Sequence, residues 1–354
     1  MSKLDKLRKQ FNQFNIDGVL ITSTYNRRYM TNFTGTAGVV LISEDRALFI
    51  TDFRYTEQAA EQATDFEIIK HNGPIISEVA ERVKELGIKK LGFEQDHLSY
   101  SVWKQYEEQV KTAELVPVSN MIENMRLIKD EEEISILKEA ADIADATFKH
   151  ILDYIKPGVT ELEVSNELEF FMRKCGATSS SFDIIVASGA RAALPHGVAT
   201  DKQIEVGDFV TMDFGALHKG YVSDITRTVA VGNPSSQLKE IYDVTLEAQL
   251  RAMDQIKAGM TGIEADAIAR DYISEKGYGE NFGHSLGHGI GLEVHEGPGL
   301  SFRSETKLVP GMVVTVEPGI YLPGIGGVRI EDDILITENG NETLTHSTKD
   351  LIIL

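Results

Sequence analysis

The sequence predicts a two-domain α/β protein: a small α/β unit over residues 1–124, followed by a larger α+β unit over residues 125–354 that is built as two related halves. Three observations carry this expectation. The chain has 354 residues, more than one ordinary domain and enough to bury a full core in each of two. Its first third alternates short helical and strand-like stretches. The remainder repeats its own segments at a spacing of about one hundred residues.

In chain order, an amphipathic start at residues 4–14 precedes the apolar run Gly18-Val19-Leu20-Ile21. Gly38-Val39-Val40-Leu41-Ile42, the turn Ser43-Glu44-Asp45 and Ala47-Leu48-Phe49-Ile50 read as a hairpin. Residues 75–86 have helical spacing and stop before Gly87; 90–94 and 114–118 are strand-like, with a helical stretch at 103–110 between them. Asn26-Arg27-Arg28-Tyr29 and Asp52-Phe53-Arg54-Tyr55 are polar-aromatic clusters expected in turns and surface packing. Beyond residue 124 the helices lengthen. Asp130-Glu131-Glu132-Glu133 is an acidic first turn that suits the positive end of a helix dipole, and residues 134–155 keep helical apolar spacing until Pro157-Gly158 ends the run.

Composition narrows the function classes. Against 35 Lys and Arg stand 55 Asp and Glu, a formal charge of −20 that repels polyphosphate and anionic lipid, so neither nucleic acid nor a membrane surface is an expected partner. No apolar run approaches the ~18 residues of a membrane span. The single cysteine, Cys175, makes no internal disulfide, which suits a reducing, cytoplasmic compartment. The acidity is uneven: residues 1–124 hold 15 basic and 18 acidic side chains, which leaves 20 and 37 for the remainder. Most of that surplus is expected to be solvated surface.

The repeat is the most informative feature. Ile155-Lys156-Pro157-Gly158-Val159-Thr160 recurs as Ile256-Lys257-Ala258-Gly259-Met260-Thr261, and Gly207-Asp208-Phe209-Val210-Thr211-Met212-Asp213-Phe214-Gly215 matches Gly311-Met312-Val313-Val314-Thr315-Val316-Glu317-Pro318-Gly319. Within it His196-Gly197 falls opposite His295-Glu296, Asp213 opposite Glu317, and Val222-Ser223-Asp224 opposite Arg329-Ile330-Glu331. A pseudo-twofold domain brings such equivalents together at its centre. Asp213 and Glu317 sit in apolar strand patterns, where an inward carboxylate is costly unless paired or metal-bound. Only Arg227, Arg329 and the histidines lie near these acids in sequence. Four carboxylate charges balance two divalent cations, which relieves a repulsion that otherwise drives their pKa values up. Salt-bridged core acids, or acids pointing outward, remain the alternatives.

A nitrogen ligand is available in His284-Ser285-Leu286-Gly287-His288-Gly289-Ile290-Gly291-Leu292-Glu293-Val294-His295-Glu296, whose glycines disfavour a regular helix and favour a closely packed extended backbone. Three histidines beside four misplaced carboxylates point to a ligand and catalytic cluster, although a lone histidine is more often a hydrogen-bonded core residue. Oxygen ligands with one imidazole suit Mn²⁺, Co²⁺ or Fe²⁺ at least as well as Zn²⁺.

In order, the blocks Met212-Asp213-Phe214-Gly215, Ser223-Asp224-Ile225-Thr226-Arg227-Thr228, residues 284–296, Val316-Glu317-Pro318-Gly319-Ile320-Tyr321 and Val328-Arg329-Ile330-Glu331-Asp332 resemble the signatures of the Xaa-Pro peptidases, prolidase and aminopeptidase P. The resemblance runs from about Arg126 to the end, and more weakly through a first domain similar to the creatinase-type N-terminal domain. It implies a pita-bread catalytic domain holding two divalent cations, Mn²⁺ first, with Asp213, Asp224, His288, Glu317 and Glu331 as ligands. Asp224 and Glu331 are then expected to bridge the cations, Asp213 to bind one, and His288 and Glu317 the other. No ligand is substituted, which separates the chain from creatinase.

The resemblance also implies the chemistry. The cations generate hydroxide near neutral pH and polarise the carbonyl before proline. Glu317 is the expected acid/base, His295 and His196 donors to the intermediate and to the peptide around the scissile bond, and His284 a group holding the proline side or a terminal carboxylate. Arg329 is expected to fix the angle of a ligand carboxylate. Phe182 and Tyr321 are candidate walls for the proline ring, with ordinary core residues as the alternative. Small peptides with proline second are the expected substrates and a homodimer the expected assembly. Chain size leans towards the dipeptidase over the aminopeptidase acting on longer peptides. A non-catalytic pita-bread binding module predicts lost ligands and basic extensions; a methionine aminopeptidase normally lacks the N-terminal domain.

Overall fold

A computed structural model describes residues 1–354 as two compact units, Met1–Arg126 and Leu127–Leu354. In the first unit, the apolar runs Gly18–Ile21, Val39–Ser43, Ala47–Thr51 and Lys90–Glu94, with Glu67–Lys70 and Glu114–Val118, form one mixed six-stranded sheet. Val39–Ser43 and Ala47–Thr51 are the expected hairpin, with Ile42 opposite Ala47. Gly18–Ile21 runs parallel to Lys90–Glu94, which in turn runs parallel to Glu114–Val118, connections that require intervening helices. Helix Ile75–Glu85 buries Val79 and Val83, one turn apart, against Leu20, Leu41, Leu48 and Ile50.

The amphipathic start at residues 4–14 forms two short helices, Lys3–Arg8 and Phe11–Phe14. One sequence expectation fails in this unit. Asn26-Arg27-Arg28-Tyr29 is no surface turn: it lies in helix Thr24–Thr31 with Asn26, Arg27 and Tyr29 buried. The reason is a partner far away in sequence. Glu94, at the end of its strand, accepts from Asn26 Nδ2 (2.8 Å) and from the Thr22 and Ser23 amides, while Arg27 donates to the Gly35 and Gly38 carbonyls. Asp52-Phe53-Arg54-Tyr55 is a turn with Phe53 exposed, as read from the sequence.

The second unit repeats one plan twice. Helices Glu131–Ile151 and Glu161–Lys174 lead into strands Ile185–Ser188, Phe209–Phe214 and Ile225–Ala230; helices Ser236–Gln255 and Gly262–Glu275 lead into Gly287–Gly289, Val313–Val316 and Asp332–Ile336. In each half the middle strand of these three is flanked by the other two. Equivalent turns share their backbone: Gly158 and Gly259 have φ of 91° and 92°, a left-handed conformation that favours glycine. Thr160 and Thr261 each open the next helix with a capping box, to Glu163 and Glu264.

Alternation along the middle strands decides where the acids point. Val210, Met212 and Phe214 pack under the first pair of helices with Val164, Leu168 and Met172; Val314 and Val316 pack under the second with Ala265, Ala269 and Ile273. With a period of two, Asp213 and Glu317 face the opposite side, towards the centre of the unit.

Candidate metal centre

Four backbone stations deliver the carboxylates. Asp213 is inside strand Phe209–Phe214 and Glu317 directly follows Val313–Val316; Asp224 and Glu331 directly precede Ile225–Ala230 and Asp332–Ile336. His288 sits on Gly287–Gly289, between glycines pressed against neighbouring strands. A Cβ at Gly287 would lie 2.0 Å from the Thr315 carbonyl, and one at Gly289 2.0 Å from that of Gly297. These five side chains meet in one cavity of about 610 Å³ that His196, His284, His295, Phe182 and Arg329 also line.

The donor set fits cations on three observations. Ligand atoms of Asp224, His288 and Glu331 all lie within 4.8 Å of one another. Asp213 Oδ1 and Asp224 Oδ1 are buried without a hydrogen-bond partner, an arrangement that costs free energy unless a cation or water faces them. Finally, His288 Nδ1 lies 3.1 Å from the Gly289 carbonyl oxygen, which makes it the protonated nitrogen. Its Nε2 lone pair then faces Glu317 Oε1 at 3.4 Å and Asp224 Oδ2 at 3.7 Å. An imidazole nitrogen and two carboxylates converge there.

Electrostatics agree. Burial, then the mutual repulsion of the carboxylates, holds Asp224 and Glu331 well above the usual carboxylate range. Glu317 is pushed up to about 8, chiefly by burial and against the pull of Arg329. Burial lowers His288 to about 4, so its ring is neutral at physiological pH.

Arg329 organises the surroundings. Its guanidinium donates to Asp213 Oδ2, to Thr226 Oγ1 (3.0 Å), to the Pro195 carbonyl (3.0 Å) and to the Tyr321 hydroxyl (2.7 Å). Thr226 passes the contact on, donating to Glu331 Oε2 at 2.6 Å. Arg227 does something else: it is 1% exposed, does not line the cavity, pairs with Asp332 and donates to the Thr226 and Glu331 carbonyls.

The five expected substrate contacts are placed differently from one another. Phe182 is half-buried and lines the cavity beside Ile185 and Val198. Tyr321 does not line it: the ring is buried, and its hydroxyl bridges Arg329 and His284 Nε2 from behind. His284 lines the cavity, but Nδ1 is 2.8 Å from the Ser285 carbonyl and Nε2 is 2.8 Å from Tyr321, so both nitrogens are engaged and no donor is left for a terminal carboxylate. His196 and His295 are both exposed on the cavity wall, and the His295 ring centroid is 4.3 Å from that of His288.

Sequence reasoning missed Thr226, Thr315 and Asp333. Thr315 donates to Glu317 Oε1 (3.2 Å), and Asp333 Oδ2 accepts from the Asp224 amide (3.0 Å). Each stands two residues from a ligand candidate on the same strand face, and that spacing was the available signal.

Comparison with known proteins agrees with this geometry. Residues 135–338 match the model of metallopeptidase family M24, and residues 3–128 that of the creatinase/prolidase N-terminal domain. A protein of Pyrococcus horikoshii named Xaa-Pro dipeptidase is 44% identical over 353 residues, spanning 99% of this chain and 98% of that one. A solved structure of an Xaa-Pro dipeptidase from Bacillus anthracis is 68% identical, covers 99% of both chains and superposes with a TM-score of 0.98. That of an X-Pro aminopeptidase from Thermotoga maritima is 43% identical, covers 98% of this chain and 100% of its own, and gives 0.92. No helix is long and apolar enough to cross a membrane. With a family model matched over more than half its length, the chain belongs to the metal-dependent peptidases of family M24, behind an N-terminal domain of the creatinase/prolidase type.

Proposed function

We propose that this chain is a metal-dependent Xaa-Pro dipeptidase, cleaving the bond before proline in small peptides with proline at the second position. The observation that carries the reading is the convergence of Asp213, Asp224, His288, Glu317 and Glu331 on one cavity, with carboxylate oxygens and an imidazole lone pair left facing each other. These five residues would hold two divalent cations, and Mn²⁺ suits a set with four carboxylates and one imidazole, with Co²⁺, Zn²⁺ and Fe²⁺ as alternatives. When bound, the cations supply Lewis acidity: they acidify water and polarise a carbonyl.

The chain's own residues do the rest. Glu317, which faces His288 Nε2 across the cavity, takes the proton of the attacking water and passes it to the leaving nitrogen. His196 and His295 donate to the substrate and to the charge that develops on the scissile carbonyl. Arg329 fixes Asp213 directly and Glu331 through Thr226. Proline offers no N–H at the scissile bond, so an apolar wall serves it better than a hydrogen-bonding strand, and Phe182, Ile185 and Val198 form such a wall. We place the enzyme in the cytoplasm as a homodimer, with the catalytic unit beginning at about residue 125.

An aminopeptidase that removes the first residue of longer Xaa-Pro peptides is the second reading, favoured by the likeness to the Thermotoga maritima structure. The test strips metal with a chelator, adds back Mn²⁺, Co²⁺ or Zn²⁺, and assays Ala-Pro, Ala-Pro-Ala and Met-Ala-Ser in parallel. Fastest cleavage of Ala-Pro is expected. Equal rates on the tripeptide decide for the aminopeptidase, preference for Met-Ala-Ser removes proline selectivity, and activity without metal refutes the mechanism.

A further inference from the structure

The first residue of helix Glu161–Lys174 is a carboxylate with no solvent exposure, and it is more than a helix-start acid. Glu161 Oε1 accepts from the Ser188 amide (2.7 Å) and hydroxyl (2.9 Å); Oε2 accepts from the Thr200 amide (3.1 Å) and hydroxyl (2.7 Å). Arg191 Nε reaches both oxygens, at 3.3 and 3.0 Å. One buried carboxylate therefore ties together the start, the interior and the end of the segment 188–200. A charged group at this depth is stable only because its lone pairs are filled in this way.

What the segment carries is part of the cavity wall. Pro195, His196 and Val198 line it, with the His196 ring exposed towards the cavity. Arg191 extends the clamp to that stretch, donating from Nη2 to the Val198 carbonyl at 2.7 Å. On the other flank of His196, Arg329 holds the Pro195 carbonyl. The backbone around His196 is thus pinned on one side by Arg329, which also contacts Asp213, and on the other by Glu161 through Arg191.

The other half of the repeat shows that the clamp is not a requirement of the fold. Gly262 opens the equivalent helix, and a Cβ there would lie 2.2 Å from the Gly299 carbonyl oxygen, so no carboxylate fits. The segment of His295 is fastened instead by the buried ion pair of Glu296 with Lys129, at 2.7 Å.

We propose that Glu161 is a positioning residue for substrate binding, acting through Arg191 and the 188–200 segment to hold His196 against the peptide. The inference rests on the reading of His196 as a substrate-facing donor. A donor misplaced by ~1 Å costs on the order of 10²-fold at the limit, and loosening one end of the segment is a smaller change. Glu161→Gln and Arg191→Met are each expected to lower kcat/KM for Ala-Pro about tenfold, and less than twofold when His196→Ala is already present. Arg191 is half-exposed, so its variant serves if the buried substitution prevents folding. In metal-free protein the His196 ring proton resonances are expected to shift in Arg191→Met. Equal losses with and without His196, no loss at all, or unmoved His196 resonances overturn the proposal while leaving the reading of His196 intact. If His196→Ala alone leaves kcat/KM unchanged, that reading fails and the proposal falls with it.

Discussion

In the first half of the catalytic unit Asp213 and Asp224 are held by groups from the second half, and in the second half Glu331 is held by a group from the first, whereas Glu317 is held by Thr315 of its own half. Asp213 takes its hydrogen bond from Arg329 and the Asp224 amide donates to Asp333; Glu331 takes its bond from Thr226 and its amide donates to the Thr226 carbonyl. Three of the four acids are oriented across the halves, so the site is complete only where the two meet. The imidazole breaks this reciprocity. His288 rides on a strand whose glycines allow near contact with its neighbours, and the second half alone supplies such a strand. Duplication explains four carboxylates about a pseudo-twofold; the single histidine distinguishes one side from the other.

The largest test of this cross-bracing compares the two buried arginines. Arg329 serves the cavity, whereas Arg227 serves Asp332, which does not line it and to which Gln249, Thr345 and Lys349 also donate. Arg329→Met is expected to lower activity or metal affinity roughly 10- to 100-fold, measured by titration with Mn²⁺ and by kcat/KM on Ala-Pro. Arg227→Met should instead cost about 1–3 kcal/mol in denaturant unfolding, since it removes the donor to the Thr226, Glu331 and Ser347 carbonyls while Asp332 keeps its other partners, with the folded fraction still active. If both variants lose metal affinity alike, the division of labour is wrong.

Those two arginines also mark where the sequence was legible. The ligand acids stand out locally, because a carboxylate within Phe209-Val210-Thr211-Met212-Asp213-Phe214 is costly whatever surrounds it, and its repeat partner confirms the pattern. Which arginine faces the acids depends on contacts more than a hundred residues away, and the burial of Asn26 on a contact to Glu94 68 residues away. Glu161 was hidden for the same reason: beside Thr160 and Glu163 it reads as an ordinary acidic first turn, and its five donors come from residues 27 to 39 positions onward. Tyr321 follows the alternative reading, a buried residue, because its hydroxyl is taken up by Arg329 and His284, contacts that lie 8 and 37 residues away and leave no local signal.

A middle-sized effect concerns pH. Glu317 titrates near 8 in the folded chain against an ordinary value of 4.5, so the fold binds its proton more tightly than the unfolded chain does. That contribution is complete below about pH 4.5 and is lost as pH rises through about 8. The metal-free protein therefore loses stability across this window, while bound cations replace the missing proton. The rise in Tm on saturation with Mn²⁺ is expected to be larger at pH 8 than at pH 6. A rise independent of pH would mean that burial does not raise the proton affinity of Glu317 as assigned.

The smallest test asks whether the halves are equal where no chemistry is involved. Thr160 Oγ1 accepts from the Glu163 amide at 3.1 Å and Thr261 Oγ1 from that of Glu264 at 3.2 Å, and each reciprocal carboxylate returns to the threonine amide. Replacing either threonine by alanine removes one cap and is expected to cost about 1 kcal/mol, a fall in Tm of roughly 2–4 °C for a domain of this size. The two losses should match, with metal content and kcat/KM unchanged. A larger loss at Thr160 would show that the helix start bearing Glu161 is held under load by the segment it clamps, and that the asymmetry of the active site extends into the scaffold.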